Sequence, residues 1–210
     1  MHRIGIIGAG MIGSTTARLF VEAGHEVAVS NSRGPASLAS LVKTLGPKAR
    51  AMTGADAAQW ADIVLLAIPW RTPEALPPAE TVAGKIVVDA MNPYMRDGTI
   101  ADLGTSSSSE ETRKRLPGAR LVKAFNTIWF THLAERGRKD LPLDDRHAIF
   151  VAGDDADAKK TVITLIAEIG FGAVDTGSLA EGGRRQQPST PLYNKVLTVR
   201  EATALARSPV

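Results

Sequence analysis

The 210-residue sequence contains no cysteine. That absence excludes disulfides, thiolate metal sites, iron–sulfur clusters and a cysteine nucleophile. Aromatic residues are scarce at 5%, too few for the row of stacking side chains that holds single-stranded nucleic acid. The four histidines (His2, His25, His132, His147) are scattered and lack the i, i+4 spacing of a helical zinc site, so no metal is expected. No apolar run approaches the roughly 18 residues of a membrane span. Met1-His2-Arg3 leads into a short run that meets glycines at once, unlike an export signal. The expectation is a cytoplasmic protein that engages neither membrane nor nucleic acid.

What is present is a globular composition, 44% hydrophobic and 22% charged, which excludes disorder and collagen. A chain of this length buries about 70% of its unfolded surface and needs no metal or disulfide staple. Lysine plus arginine minus aspartate plus glutamate is 25 − 22 = +3. The excess sits in clusters at 113–115, 136–139 and 184–185, and a mildly basic balance suits an anionic small molecule.

Short β-branched runs alternate with helical stretches, which predicts an α/β fold with a doubly wound, mainly parallel sheet of about eight strands. Strands are expected at 3–8, 26–30, 49–52, 62–68, 85–90, 120–125, 147–152 and 172–175. Helices are expected at 11–23, 35–45, 53–60, 107–116, 127–136, 154–169 and, as a C-terminal helix, 188–207. Thr53 and one of Asp154 and Asp155 read as N-caps, and Ser107 with Glu110, or Ser108 with Glu111, as a capping box. No linker is apparent. Residues 1–125 read as a nucleotide-binding core and 126–210 as a sheet extension with a helical segment packed on it, one compact unit.

Gly8-Ala9-Gly10-Met11-Ile12-Gly13 is a G-x-G-x-x-G at the exit of the first strand, opening a helix. In that setting Gly8 makes the tight turn and Gly10 lets backbone approach a pyrophosphate. Gly13 lets the helix pack close, while free helix amides face the anion. The bland alternative is a tight turn that uses glycine only for its φ freedom. A site for NAD carries an acidic residue at the end of the second strand, on the ribose 2′-hydroxyl. Here that stretch is Ser30-Asn31-Ser32-Arg33, and Glu26 lies at the wrong end of the strand. Hydroxyl and amide donors plus an arginine suit a 2′-phosphate, so NADP(H) is expected; the alternative is an Asn-Ser turn with a solvated arginine.

Together with segments further on, these residues resemble the coenzyme F420-dependent NADP oxidoreductases, and the soluble domain of transmembrane metalloreductases that shares their fold. The segments are G-A-G-M-I-G (8–13), G-H-E-V-A-V-S-N-S-R (24–33), A-I-P-W (67–70), K-A-F-N-T-I (123–128), V-A-G-D-D-A-D-A-K-K (151–160) and I-G-F-G-A-V-D-T-G-S-L (169–179). They run to about residue 195, and those at 123–128 and 170–179 are far more specific than the glycine loop. The resemblance implies a Rossmann sheet extended to eight strands and a homodimer. It also implies hydride transfer between NADPH and a deazaflavin (F420); with no proton-transfer constellation in the sequence, a flavin (FMN or FAD) is expected equally as the small-molecule redox substrate. By the same resemblance Gly8, Ala9, Gly10, Met11 and Ile12 hold the pyrophosphate and Asn31, Ser32 and Arg33 the 2′-phosphate. Ile68, Pro69 and Trp70 lie along the path from adenosine to nicotinamide. One departure bears on the second redox partner: archaeal enzymes carry histidine in A-L-H-T-I where this sequence has Asn126 in A-F-N-T-I, as the metalloreductase domain does.

Hydride transfer needs no nucleophile and no strong base, only two rings held about 3–3.5 Å apart with water excluded. The lack of a Ser-His-Asp or paired-carboxylate constellation fits this, and no catalytic residue is named. Pro69, Asn92, Ala124 and Asn126 follow strands four to six and fall at the carboxyl edge, where open α/β sheets bind ligands. Asn126 reads either as a ring-positioning group or as a helix cap. Trp70, Trp129 and Phe130 read as ring walls or core aromatics. The loop 182–188, with Arg184 and Arg185, reads as a clamp for an anionic substrate or as a solvated turn. Among lysine, tyrosine and histidine only Tyr94 reads near that edge, which weighs against carbonyl or imine chemistry. Two rival readings are an imine or β-hydroxy-acid reductase, which carries a large helical second domain, and a non-catalytic NADP(H) sensor.

Overall fold

The computed structural model describes residues 1–208. The chain runs β1 (Arg3–Ile7), α1 (Met11–Glu22), β2 (Glu26–Ser30), α2 (Ala39–Leu45), β3 (Ala49–Ala51), α3 (Gly54–Trp60), β4 (Ile63–Leu66), α4 (Ala79–Val82) and β5 (Ile86–Asp89). It continues through α5 (Ser108–Arg115), β6 (Arg120–Ala124), α6 (Phe130–Glu135), β7 (Ala148–Gly153), α7 (Ala156–Glu168), β8 (Gly172–Asp175), α8 (Glu181–Arg185) and α9 (Val199–Arg207). All eight strands form one sheet in the order β3-β2-β1-β4-β5-β6-β7-β8. Neighbours are parallel except β6 and β7. This is the doubly wound, Rossmann-like α/β fold that the alternating pattern predicts.

The strands are apolar on both faces because helices cover both. Ile4, Ile6, Val27, Val29, Ile63, Leu65, Ile86 and Val88 share a core with Leu19 and Phe20 of α1 and Val162, Leu165 and Ile166 of α7. Their strand neighbours Ile7, Ala28, Val64, Leu66 and Val87 point the other way, onto Ala57 and Ala58 of α3, Val82 and Leu116. Each valine, leucine, isoleucine or phenylalanine so buried contributes about 1.5–3 kcal/mol. A β-carbon at Gly5 would lie 2.6 Å from the Ala57 carbonyl oxygen, so α3 rests directly on the β1 backbone. A smaller cluster of Ala148, Phe150, Val174, Leu192 and Ala202 seats α9 on the outer strands. The expected caps are in place: Thr53, Ser107 with Glu110, and Asp155 accept from the backbone of α3, α5 and α7.

The C-terminal third departs from the sequence expectation. The helix expected over 188–207 is confined to Val199–Arg207 and is opened by a Thr198–Glu201 capping box. Before it, Ser189 and Asn194 have φ of 68° and 53°, which a right-handed helix cannot contain. The helix expected from 127 begins only at Phe130, because Phe125 at φ 66° turns the chain just before it. The loop expected at 182–188 instead contributes to a short helix, α8. Strand β4 is shorter than 62–68, with Ala67 and beyond turning over the sheet edge. Among the described residues no helix is long and apolar enough to cross a membrane.

The chain leaves β1 for β2 and β3, then returns to place β4 on the other side of β1. The connections therefore diverge between β1 and β4 and leave a crevice at the carboxyl edge.

Candidate functional site

The glycine loop sits at that crevice. Gly8 has φ +105°, and a β-carbon there would lie 2.4 Å from the Ala67 carbonyl oxygen; at Gly13 it would lie 1.8 Å from the Gly8 oxygen. Both glycines are therefore demanded by the fold itself. Gly10 differs: a β-carbon there would meet nothing within 4 Å. Helix α1 starts at Met11 with Gly10 as its cap, no side chain bonding its first amides and no acidic residue in its first turn. Those amides and the positive end of the helix dipole face open space. The space at Gly10 is the kind an anion fills.

Beyond β2, Asn31 Oδ1 accepts from the Arg33 amide at 3.0 Å and Asn31 Nδ2 donates to Ser37 Oγ at 2.9 Å. The Asn-Ser turn of the bland alternative is present, and it aims the following residues outward. Ser32 and Arg33 are exposed, and among the described residues no carboxylate pairs with Arg33. Glu26, at the far end of β2, is engaged with Arg50 at 3.1 Å.

Past β4, β5 and β6 the edge opens into a cleft of about 150 Å³. Met11 and Ile12 of α1 line it together with Asn92, Asn126, Trp129, Phe130 and Tyr193. Met11 is 62% and Trp129 52% exposed, a high figure for large apolar side chains beside a cleft. Asn126 is buried; its Nδ2 donates to Asn92 Oδ1 at 3.1 Å and to the Gln186 carbonyl at 2.7 Å, while Asn92 Nδ2 donates to the Asn126 carbonyl at 2.9 Å. Asn126 Oδ1 has no partner. The helix-cap alternative for Asn126 is excluded, since Trp129 occupies the α6 cap position without a side-chain bond. The turn that aims Asn126 is strained. Phe125 at φ 66° costs about 1–3 kcal/mol, held by its ring edge-on to Phe20, centroids 6.3 Å apart.

Several candidates lie elsewhere. Trp70 is a core residue on the opposite face of the sheet: it packs with Met91, Leu116 and Leu179, and its Nε1 donates to the Ser108 carbonyl at 3.2 Å. Ile68 packs on that side too, under Gly8, whereas Pro69 is exposed at the edge. Arg184 donates to the Thr105 carbonyl and Arg185 to that of Ser208 at 2.9 Å, so neither reaches the cleft as an anion clamp. Ala124 is buried in the core below Phe125. Asp155 caps α7 and takes a two-pronged bond from Arg120, which holds its carboxyl well below the usual range. Asp154 pairs with Arg113 at 2.5 Å.

Sequence reasoning missed Tyr193. It lies in the stretch read as a helix, yet its hydroxyl is 3.3 Å from both Asn92 Nδ2 and the Tyr94 hydroxyl, so Tyr94 is not alone at this edge. The signal was there in Pro188 and Pro191, which argue against a continuous helix. Lys123, read only as part of a motif, is wholly buried beneath the same edge. Its Nζ donates to the Met91 carbonyl at 2.5 Å and lies 3.4 Å from Asp89 Oδ2. Burial pushes its ammonium pKa down, against the pull of Asp89.

A family model described as NADP oxidoreductase, coenzyme F420-dependent, matches residues 3–93. A candidate F420-dependent NADP-reductase from Arthrobacter sp. FB24 is 30% identical, with a TM-score of 0.74 over 85% of this chain and 86% of that one. The chain belongs to this family. That membership places it among relatives of NADP-dependent oxidoreductases, and the resemblance read from its glycine loop and later motifs holds. A hypothetical protein of Sinorhizobium meliloti is 38% identical, with a TM-score of 0.82 over 94% of this chain and 96% of that one. Metalloreductase STEAP3 of Rattus norvegicus is 29% identical over 193 residues, 90% of this chain. The chain spans 36% of the length of that curated relative.

Proposed function

We propose that this oxidoreductase transfers hydride between NADPH and a planar ring, a deazaflavin (F420) or a flavin (FMN or FAD), held in the cleft beside α1. The observation that carries the reading is the alignment of unspent groups along one edge. The open space at Gly10, the uncapped amides of α1 and the partnerless Asn126 Oδ1 lie on the route from the β2 end to the cleft. These residues fit a dinucleotide. In this reading Gly8, Ala9, Gly10, Met11 and Ile12 receive the pyrophosphate, and Asn31, Ser32 and Arg33 the 2′-phosphate. Asn126 Oδ1 accepts from the nicotinamide carboxamide. Bound NADPH supplies the hydride. Met11, Ile12 and Trp129 confine the rings and keep water out, and Pro69 and Asn92 border the nicotinamide. Trp70 has no part in the contact.

The walls support a flat aromatic acceptor, since they are apolar and aromatic apart from amides and the Tyr193 hydroxyl. Residues 1–125 act as the NADP-binding core and 126–210 as the extension that closes it. A homodimer in the cytoplasm belongs to the same reading, and light scattering on the purified protein checks the dimer. The deciding experiment is single-turnover bleaching of NADPH absorbance with F420, FMN, FAD, small aldehydes, imines and keto acids in turn. Bleaching with F420 or a flavin is expected; bleaching only with carbonyls or imines overturns the acceptor class, and none with any acceptor favours a sensor.

A further inference from the structure

One group in the cleft has a function still to be assigned, and its assignment rests on the acceptor reading above. Tyr193 Oη accepts from Asn92 Nδ2 and from the Tyr94 hydroxyl, each at 3.3 Å. A phenol has two lone pairs and one proton. With both lone pairs taken by these donors, the proton of Tyr193 is left to point elsewhere, and the side chain lines the cleft beside Asn126 and Trp129. The segment is fixed rather than loose: Leu192 is buried, and the Asn194 amide donates to the Thr127 carbonyl at 3.0 Å with Asn194 at φ 53°. Tyr94 is half-buried and is followed by the exposed residues 95–100, so it links Tyr193 to solvent.

We propose that Tyr193 is a catalytic residue of the acceptor half, donating its O–H to the nitrogen or oxygen on which the acceptor's electron pair settles as hydride arrives, with Tyr94 as its proton supply. The acceptor class follows from this: a conjugated ring whose hydride-receiving atom is coupled to a nitrogen or oxygen within the same plane. The balance is complete. The nicotinamide C–H bond breaks and its two electrons form a new bond to hydrogen on the acceptor, so nicotinamide is oxidised and the acceptor reduced. The displaced π pair on the acceptor takes the proton of Tyr193, Tyr193 takes that of Tyr94, and water restores Tyr94. Burial holds the Tyr193 phenol above its ordinary value, so it remains a donor through the neutral range.

The test uses the full chain with Tyr193→Phe and Tyr94→Phe. Four quantities are read: NADPH affinity from tryptophan fluorescence, affinity of F420, FMN or FAD for the NADP⁺ complex, single-turnover rate, and the solvent deuterium effect on that rate. Tyr193→Phe should bind NADPH as the parent does, hold the acceptor more weakly, lose about 10–100-fold in rate and show no solvent isotope effect. Tyr94→Phe should lose less rate and show a smaller isotope effect, since only the Tyr193 proton still moves. Parent-like acceptor affinity and rate in Tyr193→Phe overturn the proposal while leaving the acceptor reading intact. A parent protein that binds NADPH but neither binds nor reduces any of the three rings overturns both. If Tyr193→Phe fails to fold, Tyr94→Phe decides, and an undiminished isotope effect there overturns the relay.

Discussion

Asp89 and Lys123 stand opposite each other on β5 and β6 and face the side of the sheet where α5 packs. Asn92 and Asn126, three residues further along each chain, lie by the cleft where α1 begins. The first pair is saturated. Asp89 accepts from Ser109 Oγ at 2.7 Å and from the Met91 amide at 3.0 Å, Lys123 donates to the Met91 carbonyl, and neither side chain has any exposure. The second pair bonds to itself and to Gln186, yet leaves one carboxamide oxygen without a partner. A buried polar group with every bond made holds backbone in place; one with a bond missing has room for a further partner, a water or a ligand. The glycine loop repeats the distinction within six residues, with Gly8 and Gly13 pressed against backbone and Gly10 facing nothing.

The largest expected effect comes from breaking the closed cluster. Lys123→Ala leaves the Asp89 carboxylate buried without its counter-charge and should cost about 3–5 kcal/mol of stability in urea unfolding, with NADPH affinity unchanged in the folded fraction. A loss of affinity without a loss of stability would erase the contrast between the two faces. Gly10→Val comes next: nucleotide binding by calorimetry should disappear while the apo thermal midpoint barely moves, whereas Gly13→Val should unfold the loop. Equal midpoint losses in both variants would make Gly10 structural.

Arg33→Ala removes a charged donor from the 2′-phosphate position and should weaken NADPH by about 1–3 kcal/mol with NADH affinity unaffected. Equal weakening for both nucleotides would remove Arg33 from that role. The smallest effect is expected at Asn126→Ala, with a single-turnover rate lower by about tenfold and a lesser change in NADPH affinity. A change confined to affinity would put Asn126 in ground-state binding alone.

The glycine loop and the turn after β2 were legible in the sequence because their pattern is local. Strand exit, glycine spacing and the Asn31–Arg33 end of β2 all lie within the first 33 residues, and periodicity places them. The cleft was less so. A motif placed Asn126 at the sheet edge, but its partners Asn92 and Gln186 lie 34 and 60 positions away, and nothing in the local pattern pairs them. Tyr193 was hidden by a helix assigned across two prolines. Trp70 was misplaced because a residue at the sheet edge can fall to either face, and one position along an extended chain decides which. The positive φ of Phe125 is tertiary in origin: packing against Phe20 overrides what a bulky residue prefers.

The antiparallel step between β6 and β7 has a consequence for how the protein is made. Because β7 and β8 run against the rest of the sheet, the chain leaves β8 heading away from the carboxyl edge and must double back through α8 to bring Gln186 and Tyr193 to it. The nucleotide cradle is assembled from about the first seventy residues, whereas Asn92 waits for a partner 101 positions later. Non-local contacts of that span form late. In the proposed reading, the residues that receive the NADPH phosphates are therefore all synthesised well before those that wall the second ring.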